Sequence, residues 1–156
     1  MRYLIREEYS FGANPGVKDL ARHLYTRITC GKIVIVADNP STLLPSLRKQ
    51  WLKLMRKVQK ERASTLNAER IFELNEMVIH MQSLRFSTTW PPDGYKPADV
   101  YITTVDKLLR WAPEAECRTV YLTCEVTTEQ LYLVTAWITK NALVVICRLS
   151  NQANSR

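Results

Sequence analysis

Residues 32–44 read KIVIVADNPSTLL, and the interpretation of this stretch decides the fold. Ile33, Val34, Ile35 and Val36 form a near-continuous β-branched run, which suits a strand covered on both faces rather than one with a wet side. Asn39, Pro40 and Ser41 follow almost at once. Proline fits the first turn of a helix, where its missing N–H costs nothing, and asparagine or serine can accept from the free N–H groups there. A buried strand that runs straight into a capped helix points to parallel α/β layering.

The helix that follows carries most of the protein's charge. In LRKQWLKLMRKVQKER, residues 47–62, seven cations stand against the single acid Glu61, a net +6 out of +7 for the whole chain. Leu47, Trp51, Leu54 and Val58 recur at i, i+4, i+7 and i+11, one stripe of a helix. Lys49, Lys53, Arg56 and Lys60 keep the same rhythm two residues later, about 200° round the axis. The apolar stripe therefore packs on the sheet and a cationic ridge about four turns long faces outward. Exposed helices commonly mix Glu with Lys because i, i+4 pairs are mildly stabilising, and this one forgoes them. Arg48, Lys49, Lys53, Arg56, Lys57, Lys60 and Arg62 are thus candidates to hold a phosphate backbone, DNA or RNA. An acidic protein is the alternative partner. A membrane-surface helix is the less favoured third reading, because Trp51 is needed by the core.

Outward from this centre the period keeps switching. Tyr3, Leu4 and Ile5 form a short strand-like run, and Val17, Leu20, Ala21, Leu24 and Ile28 have helical spacing behind Gly16. RIFELNEMVIHMQSLRFSTT, residues 70–89, fits two templates. Ile71, Leu74, Val78 and Met81 fit a helix, whereas Met77, Ile79 and Met81 alternate as in a strand, the reading preferred for the second half. WPPDGYKPAD is a loop by its prolines and Asp93-Gly94. DVYITT, CRTVYLTCEV and ALVVICRL then read as strands. VDKLLRW reads as a short helix ended by Pro113. TTEQLYLVTAWITK reads as a helix, with Thr127 and Gln130 at capping-box spacing.

Strands alternating with helices define one three-layer α/β domain, Rossmann-like or RecA-like, with a mostly parallel sheet and helices on both faces. It is expected to span residues 1–150, with 151–156 as a polar tail. A length of 156 residues with 46% hydrophobic and 24% charged residues fits a single globular domain. No apolar run approaches the about 20 residues needed to cross a bilayer, and MRYLIREEYS carries Glu7 and Glu8 where a signal peptide needs an apolar core. The expected setting is the cytoplasm, without a membrane partner, and the sequence does not fix an oligomeric state.

The chemistry-bearing motifs are few. Cys30, Cys117, Cys124 and Cys147 have no metal-ligand spacing and are expected as free, mostly buried thiols. His23 and His80 are the only histidines. No phosphate loop, GxGxxG, HExxH or GxSxG occurs, and the nearest approach, Gly12 to Asp19, has valine where the phosphate lysine belongs. Neither a cofactor nor a metal is expected. In parallel sheets ligands gather beyond the carboxyl ends of the strands, which here bring Asp38, Asn39, Thr103, Thr104, Asp106, Thr123, Cys124 and Glu125. In the second alternative reading, a small metal-dependent phosphoesterase or nuclease, Asp38, Asp106 and Glu125 are the candidate catalytic carboxylates. For each residue taken singly the plainer role is preferred: helix capping for Asp38 to Ser41 and for Thr104, and a loop carboxylate for Glu125.

Two stretches resemble part of the first lobe of superfamily 2 helicases. KIVIVADNPSTLLPSLRKQW is similar to the motif Ia region, and ADVYITTVDKLL to the strand and Thr-Thr turn near motif Ib. The resemblance covers about residues 30–110. It implies backbone contacts at Asn39, Pro40, Thr103 and Thr104. RTVYLTCEV offers only Glu125 where the magnesium-binding acidic pair should fall. The resemblance therefore implies a single lobe without ATP hydrolysis.

Overall fold

The computed structural model describes residues 5–8, 16–111, 117–137 and 142–149. In chain order the elements are β1 (Ile5–Glu8), α1 (Val17–Tyr25), β2 (Lys32–Val36), α2 (Pro40–Ser64), α3 (Ala68–Ser83) and β3 (Phe86–Ser87). They continue with β4 (Val100–Thr103), α4 (Val105–Arg110), β5 (Cys117–Leu122), α5 (Thr128–Trp137) and β6 (Leu143–Ile146). Tyr3, Leu4, residues 12–15, Pro113 and the expected tail 151–156 lie outside the described residues.

The six strands form one sheet in the order β1-β6-β5-β2-β4-β3, and every neighbouring pair is parallel. The β-branched run occupies an interior position. Ile33 pairs with Val100 on one side and Thr119 on the other, and Val36 pairs with Thr103 and Leu122. Alternate residues enter two cores. Ile33, Ile35, Val100, Ile102, Tyr121 and Val145 join Leu24, Leu47, Trp51 and Leu74 beneath α1, α2 and α3. Val34, Val36, Tyr101, Val120, Leu122 and Val144 join Leu108 and Val134 beneath α4 and α5. These are the three layers of a Rossmann-like α/β domain.

The chain enters β2 through Gly31, whose φ of +115° lies where side-chain-bearing residues are rarely found. A Cβ there would meet Arg118 Cγ at 2.6 Å, beside the register shift between Lys32 and Ile33.

Residues 70–89 depart from the strand reading. One helix covers Ala68–Ser83, and the strand is confined to Phe86–Ser87. Asn67 starts the helix, its Oδ1 accepting from the Arg70 N–H at 3.1 Å. Leu74, Val78 and Met81 supply the buried face at i, i+4 and i+7. The apparent alternation of Met77, Ile79 and Met81 is accidental, since Ile79 points outward and is 57% exposed.

Candidate phosphate-binding surface

Helix α2 is built as its capping and apolar stripe imply. Asn39 Oδ1 accepts from the Thr42 N–H at 3.3 Å and from the Ser41 hydroxyl at 2.9 Å. Leu43, Leu47, Trp51 and Val58 are buried, and Leu54 is half-buried. Trp51 fixes the helix in two ways. Its indole N–H donates to the Met81 carbonyl at 3.1 Å, and its ring meets the Phe86 ring nearly edge-on, centroids 6.0 Å apart. Twenty-five residues make α2 about 37 Å long, more than twice the about 16 Å of β2. Its far half therefore packs between α1 and α3 and outruns the strand that leads into it.

The charged side is more sharply drawn than the sequence stretch suggests. At about 100° per residue, Lys49, Lys53, Arg56, Lys57 and Lys60 fall within an arc about 100° wide, and all are exposed. Arg48 and Arg62 lie about 140° or more from Lys53, on the flank towards α3, where Arg62 donates to Asn75 Oδ1 at 2.9 Å. The ridge is thus five cations, with two more beside it.

Glu61, the single acid of the basic stretch, does not neutralise the ridge. Its Oε1 accepts from Arg70 Nη2 at 2.8 Å and Nε at 3.2 Å, across the hairpin on α3. Arg70 also reaches Glu73 at 3.1 Å. The only other ion pair among the described residues joins Arg85 to Asp99 at 3.2 Å, so the five ridge cations have no acidic partner there.

Helix α1 adds what the linear sequence conceals. Lys18 and Arg22 face Lys53 and Lys57 across a cleft of about 280 Å³, with Ala21, Leu54 and Gln50 completing its lining. Among the described residues no carboxylate lines it. A second hollow of about 440 Å³ near Gly31 mixes signs, with Lys32, His80, Arg85 and Asp99, and there Asp99 already holds Arg85.

The carboxyl ends of the strands tell a different story. From β2 the chain leaves through α2, and from its neighbour β5 it leaves through α5 on the opposite face. This is a topological switch point, the place where such sheets open a crevice. It holds Asp38, which is exposed, and Cys124, which is buried. Burial, followed by the nearby Asp38 carboxylate, pushes the Cys124 thiol up to about 12. A thiol so protonated is a poor nucleophile at neutral pH. Cys117 and Cys147 are raised to about 11 and about 12, chiefly by burial, while Cys30 is exposed and all four are free.

Several residues at this edge serve the fold. Thr104 Oγ1 accepts from the Lys107 N–H at 3.2 Å and so caps α4. Asp106 sits exposed in the first turn of that helix, where a negative charge suits the helix dipole. The Thr123 hydroxyl donates to the Val36 carbonyl at 2.7 Å. Glu125 is exposed. Thr103 is buried and its hydroxyl has no hydrogen-bond partner among the described residues. Asp38, Asp106 and Glu125 all follow strand ends, but no three His, Cys, Asp or Glu side chains gather to hold a metal among the described residues. The histidines lie elsewhere. His23 is buried on α1 with Nδ1 2.7 Å from the Tyr121 hydroxyl, and His80 is exposed on α3.

No helix among the described residues is long and apolar enough to cross a membrane. Comparisons with protein-family models, curated proteins and solved structures find no match. The likeness to a helicase lobe therefore rests on the quoted residues alone.

Proposed function

We propose that this protein is a nucleic-acid-binding accessory module that grips a phosphate backbone through the outer face of α2. One observation carries the reading: five exposed cations share an arc of α2, and no acid pairs with them among the described residues. Confining like charges on one helix face is unfavourable in the free protein, and a polyanion relieves it while releasing its own counterions. Lys18 and Arg22 extend the same positive surface onto α1.

The test is oligonucleotide affinity measured across a salt series. Five phosphate contacts give a slope of log affinity against log salt of roughly −4. Replacing Lys49, Lys53, Arg56 and Lys60 together by Glu is expected to lower affinity at least about 100-fold and to flatten the slope. These side chains are exposed, so the thermal midpoint should barely move. Unchanged affinity in this variant rejects the reading.

Leu52, 49% exposed at the edge of the arc, favours a second reading, in which the ridge meets an acidic protein and Leu52 seats against it. Leu52→Ser separates the two: contact with phosphates is blind to this change, whereas a protein interface is weakened by it.

A further inference from the structure

We propose that the cleft between α1 and α2 is a site for a terminal phosphate chain, a di- or triphosphate, set beside the backbone track of the ridge. The inference deepens the nucleic-acid reading and rests on it for the identity of the molecule that bears the phosphates. Lys18 and Arg22 on α1, and Lys53 and Lys57 on α2, are each an i, i+4 pair, so both helices bring neighbouring like charges to the same opening. Like charges at that spacing destabilise a helix. Here the two pairs also confront one another with no carboxylate among the described residues of the lining. Asp19, the acid next to Lys18, is taken up by the fold, its Oδ2 accepting from the Gly16 N–H at 2.9 Å.

The donor set matches a clustered anion. The planar guanidinium of Arg22 can hold two oxygens of one phosphate, while the lysines act as point charges that tolerate several geometries. Gln50 adds an amide able to donate, and Ala21 and Leu54 give the cleft an apolar floor. Size selects further. At about 280 Å³ the cleft falls just short of the roughly 300–1,000 Å³ that buries a drug-sized ligand. A short phosphate chain fits an opening of this size. Internal phosphates of a strand are held apart by sugars, so only a chain end concentrates several anionic groups in one such opening. Lys53 and Lys57 belong to both the cleft and the ridge, which puts the end of a strand in line with the track that holds its backbone.

The experiment compares single-stranded oligonucleotides of one sequence ending in 5′-hydroxyl, 5′-monophosphate or 5′-triphosphate, at fixed ionic strength, with inorganic triphosphate titrated separately by calorimetry. The triphosphate end is expected to bind about tenfold more tightly than the hydroxyl end, the effect of roughly one charged hydrogen bond. Lys18→Gln with Arg22→Gln should abolish that preference, and Arg22→Lys should keep part of it. Lys49→Glu, Arg56→Glu and Lys60→Glu together should lower affinity for every end while preserving the ratio. Lys18 and Arg22 are exposed, and a melting curve checks that the double variant is folded. Equal affinity for all three ends overturns the site, as does inorganic triphosphate binding that is indifferent to Lys18→Gln/Arg22→Gln. If oligonucleotides fail to bind but inorganic triphosphate binds and is lost in that variant, the cleft stands and the backbone reading falls.

Discussion

Helices α2 and α3 lie side by side in one hairpin, and they treat charge in opposite ways. On α3, Glu69, Glu73 and Glu76 are interspersed with Arg70, and Arg70 closes an ion pair with Glu73 one turn away. On α2 the outer arc holds five cations and no acid, and its single nearby carboxylate, Glu61, is drawn across to Arg70. Mixing charge on α2 in the manner of α3 would need glutamates one turn from its cations, and the outer arc has none. The contrast shows that the fold tolerates mixed charge in this hairpin, so the bare ridge is a property of α2 and not a requirement of helix pairing.

Four substitutions probe that contrast, beginning with the largest effect. Trp51→Ala removes the anchor that ties α2 to Met81 and Phe86 and is expected to cost about 3–5 kcal/mol, read by urea denaturation. If the cost is below 1 kcal/mol, the two helices do not depend on each other for packing. The caps should have smaller, matched effects. Asn39→Ala and Asn67→Ala each lose a side-chain acceptor at a helix start, about 1 kcal/mol apiece. A loss of oligonucleotide affinity in Asn39→Ala that Asn67→Ala does not share would mark Asn39 as more than a cap, in the direction that the helicase likeness implies. The smallest effect is expected at Glu61→Gln. Because Glu61 faces Arg70, oligonucleotide affinity should be unchanged within error, whereas a rise would mean that Glu61 screens the ridge.

Much of this architecture was legible in the residues. The run Ile33 to Val36 announced a strand covered on both faces, and it has a partner on each side and a core on each face. Leu47, Trp51 and Val58 announced the buried stripe of α2. Ile79 misled, because an exposed apolar residue between Met77 and Met81 imitates strand alternation, and only tertiary packing of Leu74, Val78 and Met81 distinguishes the two patterns. The ridge could be counted but not bounded from the run of charge alone; Arg48 and Arg62 belong to another flank of the same helix. The cleft was hidden for a different reason. Lys18 and Arg22 look like ordinary surface cations on α1, and only the packing of α1 against α2 brings them to Lys53 and Lys57.

The parallel topology also sets an order of assembly. β2 pairs with no strand close to it in sequence: its two neighbours begin at Val100 and Cys117. The hairpin of α2 and α3, by contrast, is a local structure that can close as soon as its own residues are made. During synthesis β2 has both backbone edges unpaired until Val100–Thr103 and Cys117–Leu122 are made, a state open to wrong pairing with other chains. The helical pair is thus a local structure, whereas the interior of the sheet waits for the last third of the chain.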